Sequence, residues 1–529
     1  MSTMWTYQLK DIAMKSNLLL FMKFSSKIFS QQNLRFQNFC VQKITTLEDV
    51  NSENFPSSLI SAIKDVGLEK ELRNDIYHWM KERNFQENGV SCWIEKEPMD
   101  YLRKSQMQWE KRIYKSLNSM CTELNVSLSV FRLASDRDEI MEKWNMLSTY
   151  NIDLSQYRPV YAPKDFLEVL LNVQNPNQES SAYSCEWDFS QISFKVKSFD
   201  ELKEMYADLT ENKPLLGACA TSSQFFQTLE NERIAMGNTV LEYNYSTAVQ
   251  EYLKRLAPHS LRGKLWAKVL GSEILPWHKE YFKNLKQLVG QYEMMVDKLI
   301  FKDIQLTVCN DDQYFVFEDL LYQVMLCFSR DTFASNLFRC NGSNPIIGIL
   351  KGKSNTISNA VIYPPNGVIP FHGFSMYAAP LCYIYNDAVQ LYFTVRSFYM
   401  RFWFRLHEVN SHSQSMLSLC CLFQHLLEFH EPTLCAHFAS INIQPIKVVF
   451  KWLMRCFSGH LPPEQLLYLW DIILGYDSLE VIPLLAVSIL SFRKENLLQV
   501  DTLPNVEAIL ADLSSIHVIP LLQLVLLAE

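Results

Sequence analysis

The 529-residue chain has no CxxC pair, no glycine-rich phosphate loop and no nucleophile elbow. Without a backbone cradle for phosphates, it is not itself a nucleotide hydrolase. Its thirteen cysteines are an odd number without paired spacing. Several of them (Cys327, Cys382, Cys420, Cys421 and Cys456) lie in apolar runs, where a free thiol behaves as a small hydrophobe. A reducing, cytoplasmic setting is therefore expected rather than a disulfide framework. Excess positive charge is absent too: the net charge is −8 and the pI is near 5.8, so no field draws the chain to nucleic acid. Apolar runs long enough to span a bilayer are missing. Residues 367–385 are interrupted by Pro370, His372 and Pro380, and residues 416–429 and 481–492 fall short of the ~18–20 residues required. No transmembrane helix is expected. There are no internal repeats and no low-complexity tracts.

What remains is a composition 48% hydrophobic, 13% aromatic and 20% charged, which is that of a folded protein with thick apolar helices. The length allows two or three domains. Residues 1–45 are basic, with Lys10, Lys15, Lys23, Lys27, Arg35 and Lys43 against a single acid, Asp11. They read as an ordinary basic helix, with a transit peptide or an interfacial amphipathic helix (and so peripheral membrane association) as alternatives. Residues 46–150 form a helical region: apolar spacing predicts helices over 59–83 and 99–124. Residues 151–240 are mixed or linker. Tyr157–Pro163 is extended or turn-forming, 166–173 is a short helix, 175–184 a loop, 190–196 a strand and 213–228 a linker. From Tyr243 the pattern is helical to the end, interrupted near 303–313, 331–372 and 408–414, with helices over 314–328 and 393–406. The fold class is all-α.

The stretch Gly367–Tyr385 centres the helical half. Turn-makers at Pro364, Pro365 and Gly367 precede a nearly uncharged run that predicts a buried helix with His372 at its entrance. Ser260 is placed to cap the helix that begins at Leu261-Arg262-Gly263-Lys264-Leu265-Trp266, with Arg262 and Trp266 sharing a face. His425 and His430 are five apart and do not share a helix face, so no metal site is expected there. The carboxylate pairs Asp311-Asp312 and Glu318-Asp319 sit where they would favour helix starts.

Four pieces in order resemble the TBC-domain family of Rab GTPase-activating proteins. Leu261–Trp266 is similar to its opening LRGxxW motif, and Ile300 with Asp303 to the first positions of IxxDxxR. His372-Gly373, followed by Ala378–Leu381, resembles its YxQG region, and Lys451-Trp452 through Phe457 with Leu469-Trp470-Asp471 resembles its RW…F…LWD signature. The resemblance spans residues 250–475 and implies a TBC domain there, with 476–529 as C-terminal helices packed on it. It also implies a Rab-family GTPase as partner, action in membrane traffic at the cytosolic face of endomembranes, and a regulator of GTP hydrolysis rather than an enzyme on its own. No cofactor is implied for this chain, since the partner carries GTP and Mg. The oligomeric state is left open.

The resemblance departs from the family at its two reactive positions. Active members insert the arginine of IxxDxxR and the glutamine of YxQ; here these positions hold Leu306 and His372. Leucine offers neither charge nor donor. Histidine can donate a hydrogen bond or position water, or serve only as a backbone-bonded entry residue. Asp303 is expected to orient the loop after it. Arg262, Trp266, Gly373, Trp452, Trp470 and Asp471 are expected to be structural. The chain between Phe328 and Gly373 is longer than the family's connection. There Arg330, Arg339, Lys351 or Lys353 offers a substitute cation, against the plainer reading of a surface insertion. Three readings follow: a Rab GTPase-activating protein, a catalytically weak TBC module that binds a Rab or another partner as a scaffold, or a helical scaffold whose work is done by the N-terminal half.

Overall fold

A computed structural model describes residues 64–65, 67, 69–90, 100–146, 153–173, 194–210, 224–338, 347–349 and 360–527. The basic segment 1–45, the expected loop 175–184 and the cations Arg339, Lys351 and Lys353 lie outside the described residues. So do residues 190–193 of the expected strand; residues 194–196 form none.

The chain divides into two units, residues 1–84 with 239–249, and the remainder. In the first, the helix that starts at Glu69 follows a turn at Gly67, whose φ of +76° suits glycine. Asn74 fastens this helix to the later segment, donating to the Asn244 carbonyl at 2.7 Å and accepting from the Ser246 N–H at 2.9 Å.

The second unit is helical, with two short antiparallel ladders among the described residues. Asp100–Glu123 buries Leu102, Trp109, Leu117, Met120 and Cys121, a single stripe at helical spacing. Ser129–Phe131 pairs with Tyr292–Met294, matching Ser129 to Met294. The Pro163–Leu171 helix packs on Pro445–Met454, with the Phe166 and Phe450 rings 6.2 Å apart. Residues 100–171, which the sequence assigns to regions upstream, thus share one unit with the C-terminal helices.

At the centre lies a run of rings. Tyr377 and Phe398 each stack on Trp403 with centroids 4.9 Å away. Trp403 in turn lies 5.2 Å from Trp470, and Trp266 5.2 Å from Phe398. Loss of one such buried ring costs about 3–5 kcal/mol. Val481–Phe492, with residues 481–490 all buried, is enclosed by the helices Met416–His430, Pro445–Met454 and Val518–Leu527. An apolar surface on all sides of a helix requires such an enclosure.

Two local expectations change. Ser260 does not cap the Arg262–Leu270 helix: Leu261 is the N-cap residue and makes no side-chain cap. The helix is anchored instead by the Arg262 N–H to the Pro258 carbonyl at 3.0 Å and ends on Gly271 at φ +67°. The predicted helix after His372 is two 3₁₀ turns, Phe374–Tyr377 and Ala379–Tyr383. Gly373 is left-handed at φ +105° and Pro380 brings no N–H, so an α-helical ladder cannot run through.

The first and last family-like motifs meet at one carboxylate. Asp471, fully buried, accepts from Arg262 Nε at 3.3 and 3.2 Å and from Nη2 at 3.0 Å. It also accepts from Trp266 Nε1 at 2.6 Å and from the Ala257 N–H at 3.1 Å. Burial pushes the Asp471 pKa up, while Arg262 and the donated bonds oppose it.

Candidate functional site

The Met295–Leu306 helix carries Asp303 on its buried side and Leu306 at its last residue. The helix ends because Thr307 turns its hydroxyl back to the Asp303 carbonyl at 2.7 Å. Asn310 Nδ2 then reaches the Gln305 and Leu306 carbonyls at 3.1 and 3.3 Å, satisfying acceptors left over at the C-terminus. Leu306 is therefore presented outward, 36% exposed.

Asp303 fastens the Met295–Leu306 helix to the turn at Gly373. Its Oδ1 accepts the Gly373 N–H at 2.6 Å, and its Oδ2 accepts the Ser375 N–H at 2.7 Å and the Ser375 hydroxyl at 2.6 Å. Thr307 Oγ1 and Ser375 Oγ are 3.0 Å apart, closing the knot from the other side. The bonds expected to be local to the loop after Asp303 thus run to a segment about seventy residues on. Burial raises the Asp303 pKa; the three donated bonds and the charge of Arg455 hold it down.

His372 lies immediately before this knot. Its N–H donates to the Tyr161 carbonyl at 2.9 Å and its own carbonyl accepts from Arg455 Nη2 at 2.9 Å. The ring is partly exposed, and Nδ1 stands 3.9 Å from Asp303 Oδ1 with no hydrogen-bond partner. Burial, with Arg455 assisting and Asp303 opposing, lowers its pKa, which favours the neutral imidazole near pH 7.

Arg330 is not in this group. Both terminal nitrogens of its fully buried guanidinium bind Asp297, Nη2 at 2.7 Å. It also donates to the Tyr292 carbonyl at 2.9 Å and to Ser329 Oγ at 2.7 Å. Asp297 accepts from Arg132 as well, at 3.2 Å, so this cluster ties strand Ser129–Phe131 to the Met295–Leu306 helix. A cation spent on a buried pair is not a substitute finger. Asp331 is likewise occupied, by Tyr281 at 2.6 Å and Tyr392 at 2.5 Å. The described residues of the long excursion include the helix Thr332–Phe338 and the antiparallel pair Ile347–Ile349 with Ala360–Ile362. Trp452 and Trp470 are core residues. Among the described residues no group of histidines, cysteines and carboxylates forms a metal site, and no helix is long and apolar enough to cross a membrane.

Arg455 was not among the residues singled out from the sequence, although a lone arginine inside KWLMRCFSG is a signal. It lies over Gly373, where a Cβ would stand 2.2 Å from its Nε.

In this helical unit an arginine and tryptophan near residue 262 close on a distant Asp471, and an IxxD helix holds a His-Gly turn, so contacts link the pieces that resemble the TBC family. The Rab-GTPase-TBC domain model matches residues 368–498. That stretch holds His372, Gly373, Trp452, Trp470 and Asp471; Arg262, Trp266, Asp303 and Leu306 precede it. The chain is 45% identical over 484 residues to TBC1 domain family member 19 of Homo sapiens, spanning 91% of this chain and 92% of that protein. It belongs to the TBC domain family. A TBC domain-containing protein kinase-like protein of Dictyostelium discoideum is 24% identical over 239 residues, 44% of this chain and 20% of that protein. The crystal structure of a Chlamydomonas flagellar RabGAP TBC domain aligns at a TM-score of 0.41 and 14% identity, over 64% of this chain and 98% of that domain.

Proposed function

We propose that this protein binds a GTP-loaded Rab-family GTPase over the Asp303 knot and regulates it in membrane traffic while accelerating hydrolysis little. One observation carries the reading. The scaffold that would deliver two side chains to a bound nucleotide is knotted together through Asp303, Gly373 and Ser375, while the helix tip bears Leu306. An inserted arginine is worth roughly 10³–10⁵ in rate, or about 4–7 kcal/mol of barrier. Leucine supplies none of that charge, and the guanidinium of Arg330 is committed to Asp297. The partner brings GTP and Mg. The encounter takes place at the cytosolic face of endomembranes, a location supported by family membership alone.

A second reading, a GTPase-activating protein of modest power, is favoured by the unpartnered Nδ1 of His372. A neutral imidazole can hold the attacking water without neutralising phosphate charge. Phosphate release from a panel of GTP-loaded Rabs, compared with intrinsic hydrolysis and with binding, separates the two. Binding to one Rab without acceleration is expected; strong acceleration by the wild-type chain would overturn the first reading. Leu306→Arg combined with His372→Gln is expected to raise hydrolysis at least about tenfold, a small part of a full finger's contribution. Unchanged hydrolysis, with folding and Rab binding intact, would show that these are not the reactive positions.

A further inference from the structure

Beneath the two tips lies a charge that the family-like motifs do not account for. Arg455 follows the last turn of the Pro445–Met454 helix. The next two residues, Cys456 at φ +51° and Phe457 at φ +62°, are both left-handed, a conformation that side chains other than glycine rarely adopt. Their backbone is fully tied: the Cys456 N–H donates to the Leu453 carbonyl at 3.1 Å and the Phe457 N–H to the Trp452 carbonyl at 2.7 Å. The Cys456 carbonyl accepts from Trp470 Nε1 at 3.3 Å. This strained turn ends the helix with the Arg455 guanidinium laid across Gly373. Only a residue without Cβ leaves room for it there. Nη2 holds the His372 carbonyl at 2.9 Å, and Nε is buried without a partner.

We propose that Arg455 is a positioning residue for the His372–Gly373 tip: its guanidinium fixes the His372 carbonyl and offsets the Asp303 charge behind it, so that the imidazole is offered to the bound GTPase in one orientation. This rests on the functional reading above. The groups that face the His372 ring are few. Asp303 comes from the Met295–Leu306 helix and Arg455 from the turn after Pro445–Met454, while the Tyr161 carbonyl holds the backbone N–H of His372. Arg455 is faced in turn by Asp303 and Tyr377, and acts on His460, which Lys451 also faces. Removing the guanidinium takes a positive charge from beside the imidazole and leaves the Asp303 carboxylate less balanced. Both changes favour the protonated ring. Lysine restores the charge but not the planar fork that spans the carbonyl.

The test uses the full chain labelled with ¹³C at the histidine ring Cε1, with His372→Gln assigning the resonance. Arg455→Ala and Arg455→Gln are expected to move the His372 titration to higher pH. They are also expected to weaken binding of the Rab selected from the panel about tenfold, or about 1.4 kcal/mol. Arg455→Lys should keep the titration near that of the wild type and recover part of the affinity. A titration unmoved in both neutral variants, with circular dichroism and melting unchanged, overturns the proposal. If Arg455→Ala does not fold, Arg455→Gln, neutral and still able to donate to the carbonyl, carries the comparison. A Rab panel with no binder sinks the functional reading alone, because the ring titration needs no partner.

Discussion

Replacing Asp303 by asparagine would keep the shape of the knot and reverse part of its chemistry. Three donors from Gly373 and Ser375 converge on its two oxygens, and an amide would turn an NH₂ toward one of them. Bonds to a buried charge are worth about 1.5–3 kcal/mol each, so Asp303→Asn is expected to cost about 3 kcal/mol, read as a lower denaturant midpoint. It should also loosen Rab binding, since the same carboxylate orders both tips. For that reason Leu306→Arg and His372→Gln are expected to be non-additive in hydrolysis, as changes in one bonded network generally are. The sequence located Asp303, Leu306 and His372 by motif. It could not disclose that Asp303 bonds across seventy residues, because spacing carries no information about partners brought together by the tertiary fold. Arg455 escaped for the same reason: its meaning lies in the missing Cβ of Gly373.

Among the elements, helices with one apolar stripe were the legible ones. Asp100–Glu123 matches the predicted 99–124 within a residue at each end, and Pro163–Leu171 overlaps the predicted 166–173. Hydrophobic periodicity sets such helices directly. Gly367–Tyr385 was not legible, because an apolar run buried on every side has no stripe to read, and Gly373 with Pro380 turned it into 3₁₀ pieces. The Arg262–Asp471 pair joins the Arg262–Leu270 and Pro463–Tyr476 helices. Asp471→Ala should strand a guanidinium that is 3% exposed and cost about 3–5 kcal/mol. A fall in the urea midpoint measures this; a loss below about 1 kcal/mol would mean that the pair contributes little beyond its packing.

For the molecule as a whole, buried titrating groups set the response to pH. Burial lowers His278 and His407 to about 4 and His412 and His460 to about 3, from a usual 6.5. A folded pKa below the unfolded one means stability that is present above pH 6.5 and lost as pH falls toward 4 and 3. Glu408 runs the other way: burial and Glu110 push it up to about 8, so its contribution is present below about 4.5 and lost as pH rises through 8. On the acid side these four histidines outweigh Glu408, and between pH 6.5 and 8 Glu408 contributes a decline, so the melting temperature is expected to peak near neutrality. Glu408→Gln should flatten the alkaline decline in thermal melts from pH 6.5 to 8.5, and an unaltered decline would assign it elsewhere. The chain departs after Phe328 and returns before Gly373 through neighbouring points. The Asn366 N–H donates to the Ser329 carbonyl at 3.3 Å, and Asn366 Oδ1 accepts the Val368 N–H at 3.0 Å, so exit and re-entry are stitched together at the rim of the core. Doubling the length beyond such a stitch costs only about 0.6 kcal/mol of closure entropy. Added length past Phe338 would thus be cheap, whereas a cut back to the stitch itself would remove the Arg330 guanidinium from Asp297 and unbalance the core.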